Sequence, residues 1–245
     1  NGQRIFNVAI RTIQLYQGKA IYGVGGGITW DSTWESEYRE VHQKAAVLYR
    51  KQARFQLITT GKISQNSLLF EDQHLERLTK ASRYFTYPFD PEVLRQKIEK
   101  ECQVCDSHQD YRLRISLSKS GEIELSRQVL TPLSPGFCQA KLCLQETDLN
   151  QAFTYFKTTY RPHLSIGEQE KIYHNKSGEL LETSIGNLVL KIAGKFYTPP
   201  IRLGILPGIY RQHLLETGQV EEKVLTLADL NQAETIYGCN AVRGL

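Results

Sequence analysis

Residues 178–211, GELLETSIGNLVLKIAGKFYTPPIRLGILPGIYR, decide how the rest of the chain is read. Gly178 marks a turn into a strand that carries Glu182, and Asn187 opens a second apolar strand running to Thr198-Pro199-Pro200. A glycine-bounded loop, Gly204-Ile205-Leu206-Pro207-Gly208, then launches a helix over about 206–216 with Arg211 in its first turn. Pro is at home at a helix start, where its missing N–H would have no partner. The free N–H groups around such a start form a seat for an anion. One short segment therefore offers a carboxylate and, a hairpin later, a phosphate cradle. The pair suits a cofactor with one basic ring nitrogen and one phosphate.

The 245 residues are 40% hydrophobic and 23% charged, which is ordinary for a globular chain with a sizeable core. No run of about 18 apolar residues occurs, so no membrane helix is expected. The first residues, NGQRIFNVAIRTIQL, lack a signal-peptide pattern and a starting Met, so the chain reads as a piece of something longer. A net charge of +4 fits anionic small ligands. Without a dense basic cluster interleaved with aromatics, it does not argue for nucleic acid. Of five cysteines, Cys102 and Cys105 form a Cys-x-x-Cys, but they share a helical face with Leu94 and Ile98 and read as core, not metal or redox. That usage points to a reducing, cytoplasmic setting.

Residues 6–13 and 19–23 look like paired strands joined at Gln17-Gly18. After the glycine-rich Gly23-Val24-Gly25-Gly26-Gly27, Ser32 and Glu35 have capping-box spacing for a helix burying Tyr38, Val41, Ala45 and Leu48. Glu37, Glu40 and Lys44 fall together on a neighbouring face, where two carboxylates could hold Mg²⁺ with help from a substrate. From Ala53 a new unit begins: a strand over 55–60, a turn at Gly61-Lys62 into a second strand ending near Leu69, and a helix over about 72–85. His74 on that helix reads as a packing residue. Asp90-Pro91 starts the next helix, and 111–118, YRLRISLS, alternates as a strand with Arg112, Arg114 and Ser116 on its polar face. Residues 131–136, TPLSPG, form the linker to a larger domain. Within that domain Lys157 stands alone among aromatics and threonines, and its local context favours an ordinary surface lysine.

Two resemblances sharpen this. AIRT, YGVGGGITWDS and ESEYREVHQKA, within residues 1–50, resemble the C-terminal end of chorismate-utilising enzymes, most of all the synthase component of aminodeoxychorismate synthase. The resemblance implies that Arg11 meets a chorismate carboxylate and that Glu40, with Glu37 beside it, binds Mg²⁺ in the intact synthase. Lys44 would lie in the same pocket, and a glutamine amidotransferase component would be the partner. A remnant of about 45 residues would be inactive.

From Ala53 to the end, HLERL, FKTTYR, GELLETSIGN, TPP, GILPGIYR and CNAVRG together resemble the fold-type-IV pyridoxal-phosphate (PLP) enzymes. These include aminodeoxychorismate lyase and the branched-chain and D-amino-acid aminotransferases. The resemblance implies an α+β, two-domain fold. A small α/β domain over 53–130 and the linker 131–136 would lead to a larger β-barrel-like PLP-binding domain over 137–245, all preceded by a strand–strand–helix remnant. It implies that Lys157 bonds to PLP and shuttles the proton, reversing the reading from local context. Arg77 would grip the phosphate, Glu182 would pair with the pyridine nitrogen, and Ile205 and Leu206 would complete the phosphate seat near Asn240. No metal is implied in this unit, and a homodimer is. Arg114 is a candidate for a substrate carboxylate, since a planar guanidinium fork suits that task.

Synthase followed by lyase in one chain would join consecutive steps, chorismate to 4-amino-4-deoxychorismate and then to 4-aminobenzoate and pyruvate. The small-molecule substrate expected is therefore 4-amino-4-deoxychorismate. Lyases of the family often carry Asn at the place of Tyr160, and related fusions an acid at the place of Thr59. The alternatives are a fold-type-IV aminotransferase acting on D- or branched-chain amino acids, and a non-catalytic assembly module.

Overall fold

The computed structural model describes residues 11–49, 53–133, 138–145, 152–165, 167 and 169–245. The chain divides into two compact units, residues 1–53 and 54–245. Among the described residues no helix is long and apolar enough to cross a membrane.

In the first unit β1 (Ile13–Tyr16) and β2 (Lys19–Tyr22) form an antiparallel hairpin through Gln17-Gly18, both at positive φ as such a tight turn demands. Most of the expected first strand, residues 6–10, lies outside the described residues. Helix α1 (Trp34–Tyr49) follows, and two expectations for it are corrected. Its start is closed by Thr33, whose Oγ1 accepts the Ser36 N–H at 3.3 Å, while Ser32 accepts from Thr29 and donates to Glu37. Its apolar stripe is not buried: Tyr38 is 60% and Leu48 47% exposed. A hairpin and one helix supply too little surface to cover an apolar helix face.

The second unit opens with a four-stranded antiparallel sheet in the order β4-β3-β5-β6. It comprises β3 (Leu57–Ser64), β4 (Ser67–Leu68), β5 (Tyr111–Leu117) and β6 (Ile123–Val129). Helices α2 (Glu71–Phe85) and α3 (Pro91–Gln103) cover one face. Between them lies a core of Leu57, Ile63, Leu78, Leu94, Ile98 and Leu113, which Cys102 and Cys105 join as expected.

The expected turn at Gly61-Lys62 is instead the middle of β3, and the chain reverses at Gln65-Asn66, both at positive φ. Gly61 is required by close approach, because a Cβ there would lie 2.5 Å from His74 Nε2 and 2.8 Å from Leu68 Cδ1. Gly61→Ala is expected to lower unfolding stability by about 1–3 kcal/mol, the usual cost of overpacking, measurable by urea titration.

Residues 134–136 of the expected linker lie outside the described residues. Beyond them β7 (Ala140–Leu144), the short α4 (Ala152–Tyr155), β8 (Glu170–His174), β9 (Leu180–Thr183), β10 (Asn187–Ile192) and β11 (Lys195–Thr198) follow in turn. A 3-10 turn at Ile201–Leu203, α5 (Ile209–Glu216), β12 (Glu221–Glu222), α6 (Leu227–Gln232) and β13 (Thr235–Cys239) complete the chain. The seven strands run β12-β11-β10-β9-β8-β7, with β13 along β10.

The expected barrel-like sheet is open. Strand β13 takes one edge of β10, while β9 at Asn187 and β11 from Leu190 divide the other, so the sheet forks instead of closing. Helix α5 starts three residues later than expected, at Ile209. Arg211 in its first turn is buried, donating to the Pro199 carbonyl at 2.8 Å and pairing with Glu222. It is a strut between α5 and the sheet, not part of an anion seat.

Candidate active site

Lys157 is held by backbone. After α4 the chain runs beside the start of β3: the Lys157 carbonyl accepts the Ile58 N–H at 3.0 Å, and the Thr159 N–H reaches the Gln56 carbonyl at 2.9 Å. Gln56 in turn donates its N–H to Thr159 Oγ1 at 2.9 Å. Contacts on both sides thus fix where the amine emerges. It emerges where three spaces meet. One is an open cavity of about 600 Å³, whose cationic side chains besides Lys157 are Arg112, Arg114, Arg161 and Arg243, with no carboxylate among the described residues that line it. The second is a recess of about 30 Å³ that holds Glu182, Arg77 and Asn187. The third, of about 250 Å³, is walled by Arg77, Phe156, Gly208 and Ile209.

Burial and the neighbouring Arg77 and Arg161 hold the Lys157 ammonium down, to about 7, against the opposing pull of Glu182. Glu182, 2% exposed at the end of β9, is pushed up to about 7 by burial, although Arg161, the Leu206 N–H and Lys157 all favour its charge. Its Oε1 has no hydrogen-bond partner, and Arg161 Nη2 stands 3.6 Å away. A buried carboxylate oxygen left unbonded is costly and calls for a donor. A ring N–H would meet that need, so the residues present fit PLP.

Arg77 lies on α2, where burial and Arg161 lower it to about 10, and donates to the Pro207 carbonyl at 2.6 Å, just ahead of α5. Ile205 and Leu206, whose N–H groups were expected to complete the phosphate seat, lie in the loop ahead of α5. Ile205 is packed in an apolar cluster with Leu164, Tyr173 and Leu181. The Leu206 N–H favours the charged form of Glu182, and the Leu206 carbonyl accepts Asn187 Nδ2 at 2.8 Å. The N–H groups of a helix's first turn have no partner within the helix, and here they belong to Ile209 and Tyr210, beside Gly208.

Asn240 lines both the cavity and the recess, but its Oδ1 accepts the N–H groups of Val242 and Arg243 and shapes the loop that carries them. Arg114 is half-buried and faces the cavity with Arg112.

With this geometry in place, the family described as amino-transferase class IV matches residues 56–245. The chain belongs to the class IV aminotransferases. The chorismate-binding enzyme family matches residues 1–50.

A yeast (Saccharomyces cerevisiae) protein named aminodeoxychorismate lyase is 25% identical over 198 residues, 60% of this chain and 53% of its own length. This chain thus spans about half of that relative. Among solved structures, a protein provisionally named an amino-acid aminotransferase from Mesorhizobium loti is 26% identical, with a TM-score of 0.67 over 78% of this chain and 97% of its own. The PLP-bound form of a hypothetical Mycobacterium tuberculosis aminotransferase shares the fold at 18% identity, with a TM-score of 0.65 over 77% of this chain and 78% of its own. As a class IV aminotransferase-fold protein, the chain is placed among PLP enzymes.

In the first unit the expected cluster does form. Glu40 pairs with Lys44 at 2.6 Å, Lys44 reaches the Gly25 carbonyl at 2.9 Å, and Ser32 donates to Glu37 at 2.6 Å. A Cβ on Gly26 would sit 3.0 Å from Glu37 Oε2, so the glycine-rich loop lies over these side chains. Arg11 joins Glu40 and Lys44 around a cavity of about 630 Å³. Among the described residues no group of three or more His, Cys, Asp or Glu is placed to hold a metal.

Residue-by-residue reading passed over Arg161, Arg243, Asn187 and the His74–Thr59 pair. His74 is completely buried, its Nδ1 2.6 Å from Thr59 Oγ1, and burial lowers it to about 3. Its other ring nitrogen has no partner, so it is only half the satisfied packing residue expected. The two arginines stand in FKTTYR and CNAVRG, strings that marked the family without singling them out.

Proposed function

We propose that residues 54–245 form a PLP-dependent lyase converting 4-amino-4-deoxychorismate to 4-aminobenzoate and pyruvate, fused behind the end of an aminodeoxychorismate synthase. The observation that carries this reading is the cavity at Lys157, ringed by four arginines and, among the described residues, lined by no carboxylate. Such a site suits a substrate with two carboxylates. Its apolar walls, Ile58, Leu130 and Leu164, suit the faces of a six-membered ring.

When bound, PLP supplies an aldehyde for the substrate amine and a ring that draws electrons from the carbon bearing it. Arg77 would hold the phosphate as a charge-assisted donor, with the free N–H groups of Ile209 and Tyr210 completing the seat. Glu182 would accept the ring N–H and regain its charge. Lys157, whose ammonium burial and the neighbouring Arg77 and Arg161 lower to about 7, would have its amine available near neutral pH to meet the aldehyde and to carry a proton. It would take the proton from the substrate carbon that bears nitrogen. The substrate's own six-membered ring would become aromatic as the C–O bond to the enolpyruvyl group breaks, and that group would depart as the enolate of pyruvate and be protonated at carbon. Arg112, Arg114 and Arg243 would hold the carboxylates.

Supplying aminodeoxychorismate should give pyruvate and 4-aminobenzoate in equal amounts. Transamination of D-alanine or branched-chain amino acids without pyruvate would instead establish the aminotransferase. The domain reading, the homodimer, the amidotransferase partner and the cytoplasmic setting accompany this proposal.

The lowered pKa of Lys157 also sets a pH dependence. Only the free amine attacks the aldehyde, so the rate of PLP capture by the apoprotein should rise about tenfold from pH 6 to 8 and then level off. Stopped-flow absorbance checks this. An ordinary lysine would gain about a further tenfold from pH 8 to 9.

A further inference from the structure

Among the described residues, Arg161 is the one guanidinium that lines both the substrate-sized cavity and the recess containing Glu182, and its Nε and Nη2 have no hydrogen-bond partner. Its side chain is only 12% exposed, so these donors are withheld from water as well. Its nearest anion, Glu182 Oε1, is 3.6 Å from Nη2, beyond hydrogen-bond range. Nε and Nη2 lie on one edge of the planar group, the edge that grips a carboxylate with two parallel bonds. Leaving both unmet in a buried site is costly, and a bound carboxylate would relieve that cost.

We propose that Arg161 is a substrate-carboxylate residue that balances Glu182 in the unloaded protein and presents its free edge to the substrate once the cofactor ring nitrogen engages Glu182. The inference rests on reading this site as the PLP site, but it holds for a lyase and an aminotransferase alike. Arg112 and Arg114, on β5, and Arg243, on the C-terminal loop, form the remaining cationic wall and would take a second carboxylate.

The test is binding, not turnover. Benzoate is titrated into the PLP-saturated protein, with benzamide as the uncharged comparison, and the shift of the cofactor's visible absorption is followed. Wild type should favour benzoate. Arg161→Gln should weaken benzoate by about tenfold or more, the worth of a charge-assisted pair, and leave benzamide unchanged. Arg161→Lys, which keeps the charge and loses the fork, should fall between; if the glutamine variant does not fold, this loss carries the test. Benzoate affinity within about threefold of wild type in Arg161→Gln, or in Arg161→Lys where that variant carries the test, or no preference in wild type, overturns the proposal. Absence of pyruvate production by wild type would refute the lyase and leave this result standing.

Discussion

Lys157→Ala is expected to yield a colourless protein in which borohydride fixes no PLP and turnover falls by about 10⁴-fold or more, at or beyond the upper end of acid–base contributions. The size follows from placement. Lys157 is the side chain shared by the large cavity, the recess and the third chamber, so one amine serves as attachment point and proton carrier. Other cations in the site cannot take over. Arg77 is committed to Pro207, and a guanidinium, even lowered to about 10, is a poor base at neutral pH. The measurement is an absorption spectrum and a borohydride-reduced peptide map of wild type and variant side by side, followed by pyruvate release. A wild type that takes up no PLP would return the chain to the non-catalytic reading.

Much of this was legible in the residues, and the gaps have physical causes. Periodicity places a helix, and α2, α3 and β5 were found by it with small shifts at their ends. Periodicity says nothing about what faces a helix. For that reason α1 was expected to bury Tyr38 and Leu48, which stand exposed, and Gly61 was read as a turn when it makes room for an imidazole.

The same limit applied at the site. Motif order brought out Arg77, Lys157 and Glu182, far apart in the chain, because a motif carries its role along with it. Arg161 has no local pattern: its meaning is a 3.6 Å approach to Glu182, which only the fold creates. The proposed phosphate seat lies one turn later than expected, at Ile209 and Tyr210, because the first-turn N–H groups of α5 have no partner within the helix.

Gly208→Ala is expected to destabilise the protein by about 2–4 kcal/mol, the sum of overpacking and a broken buried hydrogen bond, and to weaken PLP binding with it. Backbone strain is not the cause. Gly208 has φ −70° and ψ 137°, which alanine adopts freely. The obstacle is Asn187. A Cβ would fall 1.8 Å from its Oδ1, well inside contact distance, so the amide must leave.

Asn187 is 3% exposed, and its Nδ2 donates to the Leu206 carbonyl. Moving it releases the carbonyl of Leu206, whose N–H favours the charge on Glu182, and disturbs the start of α5, where the phosphate would sit. One methyl group thus reaches both ends of the proposed cofactor seat. Urea unfolding of Gly208→Ala, Asn187→Ala and the double variant separates this from a general loss of fit. If the clash is with Asn187, the double variant should cost less than the sum of the singles by about 1 kcal/mol or more, since residues in contact do not add. Strict additivity would show that Gly208 is needed for another reason.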